Sequence, residues 1–237
     1  MRVWINEKEV VIPSSLSEIT LGQRIAYQEQ YGNELDKMAA SIIGMEDGVE
    51  KELESMHFHF EKMFRTFAFF AGTTVEAIKE SKFIDEVASI YHASLAVLFE
   101  EEQSLELKTE FVWRNEKWVL ATPEIKNGSS MKFGEFIDAK QLIKDMIELG
   151  KGKWEYMLPI CAIYLRRPGE EYNEEFLYEG SERLELMKSL PMDIVLQIGF
   201  FLSGTLNICI NTLKYSGNPE SRVGENMSRA TTIDTDG

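Results

Sequence analysis

His57 and His59 stand between Glu54 and Glu61, side-chain types that together could hold a transition metal. Their spacing argues against it. The surrounding pattern is helical, and helical residues two apart point to different sides of the cylinder. A zinc-binding pair on a helix needs histidines four apart. No metal site is expected here. His92 is a lone histidine on an amphipathic stretch and reads as a partly buried side chain satisfied by its neighbours. Glu46, Asp47, Glu50, Glu52 and Glu54 form one acidic cluster, and Glu170, Glu171, Glu174 and Glu175 another. Paired carboxylates catalyse acid–base chemistry when a shaped pocket holds them apart. Runs like these read better as solvated faces. An enzyme using the acidic clusters is kept only as the reading of a different class. The sequence has no glycine-rich phosphate loop and no Gly-x-Ser-x-Gly elbow. Neither a catalytic residue nor a cofactor is expected.

Arg166-Arg167-Pro168-Gly169 is the paired basic spot that follows a helical stretch. It is expected to cap that helix, whose C-terminal carbonyls attract cations, or to pair with the neighbouring glutamates, with partner binding as the third reading. Cys161 and Cys209 each lie in an apolar run and read as buried free thiols. With no Cys-x-x-Cys, neither a zinc knuckle nor a thioredoxin-like site is expected.

Across 237 residues the net charge is −15. That balance argues against a nucleic-acid surface, which needs clustered cations to displace phosphate counterions. It argues equally against docking on anionic lipid. The N-terminal residues carry no apolar run of signal-peptide length, so the protein is expected to act in the cell that makes it or in a particle assembled there.

The elements that must position these residues follow from periodicity. Residues 1–12 read as a hairpin turning at Asn6-Glu7-Lys8. A helical pattern over 19–27 is expected to break at Gly32-Asn33. A second helix is expected over 34–43 and a third over 49–71, ended by Gly72. Thr73-Thr74-Val75-Glu76 reads as a capping box that starts a helix reaching residue 98. A second hairpin is expected over 111–120, then helices over 134–149 and 154–165, with Pro159 kinking or starting the latter. Residues 166–180 read as a polar excursion, followed by a short helix over 181–190. The aromatic residues Phe58, Phe60, Phe64, Phe67, Phe69 and Phe70 fall mostly at helical spacing, which predicts core packing rather than a binding platform.

The longest apolar run is 191–215. Ser189 and Pro191 predict its start and Gly217 its stop. Asp193, Gln197, Asn207 and Asn211 line one side, which a lipid-facing span would not tolerate. The run reads as a central core helix with Leu206 buried. Short motifs also recur in order. Val3-Trp4-Ile5-Asn6-Glu7-Lys8 is echoed by Val112-Trp113-Arg114-Asn115-Glu116-Lys117. The Gly22 segment is echoed at Gly134, and Phe69-Phe70 at Phe200-Phe201. The order predicts a tandem duplication. The expected fold is therefore α+β, mainly helical. It has two related modules, 1–105 and 106–215, each a β-hairpin packed on a helical bundle, and an extended C-terminal arm, 216–237.

Phe133-Gly134-Glu135-Phe136-Ile137-Asp138, Leu165 to Tyr172, Met192 and Gly199-Phe200-Phe201-Leu202 together resemble a style of small protein encoded among the structural genes of tailed phages of gut Bacteroidales, including crAss-like phages. The likeness covers about 130–215 and defines no catalytic residue. It implies a non-enzymatic component of the phage particle, in the tail, neck or packaged interior, assembled in the host cytoplasm. A soluble tail assembly chaperone is the alternative. The implied partners are other phage structural proteins and copies of the chain itself, with no nucleic acid and no membrane. The arm is too polar to fold alone. Val223, Met227 and Ile233 are spaced along it as anchors of a segment that docks on another subunit.

Overall fold

The computed structural model describes residues 2–5, 8–80, 84–96, 108–121, 133–149 and 153–201. Residues Met1–Ile198 form one compact unit and Gly199–Gly237 a second. The described part is predominantly helical with a small three-stranded sheet and a separate two-stranded hairpin. Strands β1 (Arg2–Ile5) and β2 (Lys8–Val11) pair antiparallel. Helices α1 (Leu21–Tyr27), α2 (Asn33–Ile43), α3 (Val49–Ala71), α4 (Val75–Lys79) and α5 (Ile84–Ile90) follow. Strands β3 (Glu110–Trp113) and β4 (Glu116–Leu120) come next, then α6 (Phe133–Leu149) and α7 (Lys153–Tyr164). Strand β5 (Leu165–Arg166) and helix α8 (Glu182–Lys188) complete the labelled elements. Residues 192–201 are helical.

Helix α1 begins with a capping box. The Thr20 hydroxyl accepts from the Gln23 amide at 3.2 Å, and the Gln23 side chain accepts from the Thr20 amide at 2.9 Å. The box expected at Thr73–Glu76 is not formed by Thr73. There the cap is one residue later, with Thr74 accepting from Ala77 at 3.2 Å. Thr20→Ala is expected to cost about 1 kcal/mol, the usual value of a lost N-cap, measurable by urea unfolding.

Gly32 does not break the helix. Residues 28–32 form a π-helical stretch that joins α1 to α2. Gly32 has φ −56° and ψ −50°, ordinary right-handed values. A Cβ there would fall 2.1 Å from the Gln28 side-chain nitrogen. The glycine thus accommodates the wider turn. Gly72 does end α3 as expected, with φ 61° in the left-handed region that glycine favours. The helix expected over 75–98 is two helices: α4 stops at Lys79, and α5 passes into a second π-helical stretch, 91–95.

Thr20 and Pro191 form an antiparallel bridge. The Leu21 amide donates to the Leu190 carbonyl and the Met192 amide to the Ile19 carbonyl, both at 2.9 Å. Gly22 permits this approach, since a Cβ would meet the Lys188 carbonyl at 3.0 Å. The expected core helix does start beside Pro191, and Met192, Ile194, Val195 and Ile198 are buried. Its part beyond residue 201, Leu206 included, lies outside the described residues.

In the sheet, β4 lies between β3 and β5, both antiparallel to it. Arg114 and Asn115, with φ 53° and 60°, form the two-residue turn whose twist suits a hairpin. Phe111, Trp113, Trp118 and Leu120 alternate onto the buried face. Arg166 belongs to β5, opposite Val119, not to a polar excursion.

The two expected modules are not seen as equivalents among the described residues. Trp4 pairs with Glu9, and Ile5 and Lys8 close the first hairpin. Trp113 pairs with Glu116 and itself closes the second. The echoed letters are one residue out of register with the turns. A one-residue slip in a strand turns every side chain to the opposite face. Trp4 is accordingly exposed and Trp113 buried. The glycines differ too: Gly22 sits tightly against α8, whereas a Cβ on Gly134 would meet open space.

Candidate protein-binding surface

Three arginines and two tryptophans meet beside the sheet. Arg166 reaches Glu135 with both terminal nitrogens, at 2.6 and 3.4 Å, while its Nε donates to the Ile163 carbonyl at 3.0 Å. Both partners are buried. Arg167 and Arg183 stack on Trp118, 4.7 and 5.0 Å from the ring centre. Arg167 also pairs with Glu116, and Arg183 with Glu170. The Arg183 guanidinium donates to the Leu165 carbonyl. Tyr172 donates to Asp138 at 2.7 Å. These polar contacts join α6, the end of α7, α8, β4, β5 and the loop after β5. The arginine pair behaves as its sequence setting predicts: Arg166 caps α7, and the Arg167 amide donates to Glu170 of the nearby cluster at 2.8 Å. The principal partner, Glu135, is distant in sequence and was missed.

These contacts tie α6, β4, β5 and α8 together. Glu61 is buried in α3. Burial by itself raises its pKa, but hydrogen bonds from Lys79 and Arg65 outweigh that and hold it below the ordinary carboxylate value. Burial pushes the Cys161 thiol up, and Cys161 is free and fully buried as expected. Cys209 lies outside the described residues. Burial raises Tyr27 and Tyr172 as well, and Tyr91 to about 12. A group that holds its proton more tightly when folded stabilises the protein fully below its ordinary value, and that stability is lost as pH rises through the folded value. Arg24 and Arg183, lowered by burial, act in the opposite sense. Comparing Tyr91→Phe with the parent isolates the tyrosine: between pH 10 and about 12 the parent's urea midpoint is expected to fall relative to the variant's. A difference that stays constant with pH would contradict the burial assigned to Tyr91.

The exposed feature that invites a partner is on α3. Val49, Leu53, Met56, Phe60, Met63 and Phe67 follow one another at steps of four and three, the spacing of a helix–helix seam. Its inner end is core: Met63 is 3% exposed and Phe67 0%. Its outer end is not: Val49 is 73% exposed, Leu53 56%, Met56 51% and Phe60 42%. Exposed Ile43 ends α2 across the 44–48 loop. Beside the stripe runs an open groove of about 810 Å³, lined by Met56, His59, Phe60, Met63, Tyr91 and His92 among others. Phe60 and Phe64 stack with ring centres 6.0 Å apart.

The core reading of the aromatic series is thus corrected. Phe67 alone of the six is fully covered; Phe58, Phe64, Phe69 and Phe70 are half-buried and Phe60 is exposed. Periodicity identified the apolar face but not that this chain leaves half of it uncovered. His57 and His59 diverge as expected. His57 lies 3.8 Å from both Glu54 and Glu61, whereas His59 faces the groove. Among the described residues, no group of three His, Cys, Asp or Glu side chains could hold a metal, and no helix is long and apolar enough to cross a membrane. The anchors Val223, Met227 and Ile233 lie outside the described residues.

Comparison with protein-family models, with curated proteins and with solved structures finds no match to this chain.

Proposed function

We propose that this chain is a non-enzymatic component of a tailed-phage particle that works by binding other proteins, and that the outer half of the α3 stripe is a binding face. The observation that supports binding is the continuous seam from Val49 to Phe67, covered at one end and bare at the other. An apolar helical face left open on a strongly acidic chain is a surface for another helix or groove to cover. The phage setting comes from the likeness over 130–215. Two of its motifs touch: Glu135 and Asp138 of the first meet Arg166 and Tyr172 of the second. Those motifs therefore describe a packing arrangement, consistent with a role that needs no catalytic residue. The recurring motifs are read as traces of a duplication whose copies adopted different strand registers. The arm, 216–237, is a second docking segment through Val223, Met227 and Ile233.

The test is mass spectrometry of purified particles produced with the parent chain, with Leu53→Glu, or with 216–237 deleted. The parent is expected in the particle. Leu53→Glu should be depleted from it, although its melting temperature is nearly unchanged because Leu53 is half exposed. The deletion should behave likewise. A parent chain absent from particles but bound to a tail protein in the lysate would replace this reading with that of an assembly chaperone. A parent chain found in neither place would end both readings.

A further inference from the structure

We infer that the outer half of the α3 stripe is covered by the same stripe of a second copy, with the two helices antiparallel about a two-fold axis. The inference rests on the protein-binding reading of this face and names its partner. Residues 49–60 span about 18 Å of helix, room for two full seam layers in each direction. In the antiparallel arrangement Val49 meets the partner's Phe60, and Leu53 meets the partner's Met56. The smallest side chain of the stripe then faces the largest, and Leu53 faces Met56, which is close to it in volume. A parallel pair would instead stack Val49 on Val49 and Phe60 on Phe60.

The flanks point the same way. Glu50 and His57 border one side of the stripe, and Glu52 and His59 border the other. All four are exposed. Antiparallel helices bring like-named flanks together, so Glu50 comes to the partner's His57 and Glu52 to the partner's His59. A carboxylate accepts from an imidazole N–H, so each of the four flanking contacts joins an acceptor to a donor. A parallel pair makes this match only between Glu52 and the partner's His57. Other groups near the histidines leave the arrangement intact. His57 has Glu54 and Glu61 on its own helix, while Lys51, Asp47, Tyr91 and His92 line the groove with His59. Lys51 is held by Asp47 at 2.8 Å. Two copies of a chain with net charge −15 repel at long range, so a self-contact needs an apolar patch whose rim sets no carboxylate against another. The α3 stripe meets both conditions, and a two-fold contact of this kind closes on itself.

Sedimentation equilibrium of the full chain over roughly 1–100 µM is expected to show a monomer–dimer equilibrium, with Leu53→Glu weakening it about tenfold or more. The direction of pairing is read by cysteine trapping. A Leu53→Cys chain mixed with a Met56→Cys chain should cross-link to each other faster than either does to itself. Faster self-linking of Leu53→Cys would overturn the antiparallel arrangement. A parent chain that stays monomeric throughout, with no cross-link in any mixture, would overturn self-pairing altogether. If Leu53→Glu is nevertheless lost from particles in that case, the face binds a different protein and only the identity of its partner was wrong. Should Leu53→Glu fail to fold, the cysteine mixtures still decide, since they introduce no charge.

Discussion

Glu135→Ala is expected to lower the free energy of unfolding by about 3–5 kcal/mol, the cost of stranding one member of a buried ion pair. Arg166 and Glu135 are both shielded from solvent, and their contact is nearly bidentate, at 2.6 and 3.4 Å. Without the carboxylate, the Arg166 guanidinium keeps, among the described residues, the Ile163 carbonyl at 3.0 Å and the Tyr172 ring, 5.7 Å away. Neither balances a full charge out of water. The loss is a large share of the 5–15 kcal/mol that holds a typical domain together. Urea unfolding followed by far-ultraviolet circular dichroism measures it. Replacing both partners, as Glu135→Met with Arg166→Met, should recover most of the loss, because the desolvation of both charges disappears with them. A single variant within about 1 kcal/mol of the parent would show that Arg166 is solvated after all.

Trp118→Ala should be of similar size, about 3–5 kcal/mol, as for other large buried aromatics. Trp118 is fully buried at the centre of the three-stranded sheet. Its indole N–H donates to the Trp113 carbonyl at 3.2 Å, and the two rings lie 5.1 Å apart. Arg167 and Arg183 cover its other surfaces. Truncation opens a cavity and removes the platform on which two cations rest. Trp118→Phe keeps most of the volume but loses the N–H and part of the ring, and should fall between parent and alanine. Near-ultraviolet circular dichroism should lose the signal of the coupled tryptophans in both variants. The Glu135 and Trp118 losses need not add, since the adjacent Arg166 and Arg167 connect them. A fully folded Trp118→Ala with the parent's urea midpoint would mean that the sheet is peripheral to stability.

Several elements were legible in the sequence because their causes are local. The stop of α3 at Gly72 needs only a residue that tolerates positive φ, and α4 starts beside the expected Thr73–Glu76 signal, with its cap one residue later at Thr74. The hairpin around Asn115 is set by its turn and by alternation across two short strands. The extent of α3 follows from its apolar period. Other features depended on groups far away in the chain. Gly32 reads as a breaker, and only the surrounding helix shows a residue adopting ordinary helical angles beside Gln28. Arg166 reads as the start of a polar loop. It enters β5 because Glu135, on another element, is there to receive its charge.

Trp4 and Trp113 stand in nearly the same hexapeptide yet face solvent and core, because the position of the turn relative to the motif decides which face each strand residue takes. The α3 stripe divides in the same way. Its spacing is uniform from Val49 to Phe67, so sequence alone determined which side of the helix is apolar. Which half would be covered was decided by where the rest of the chain packs, since burial depends on neighbours that a helix's own period does not contain.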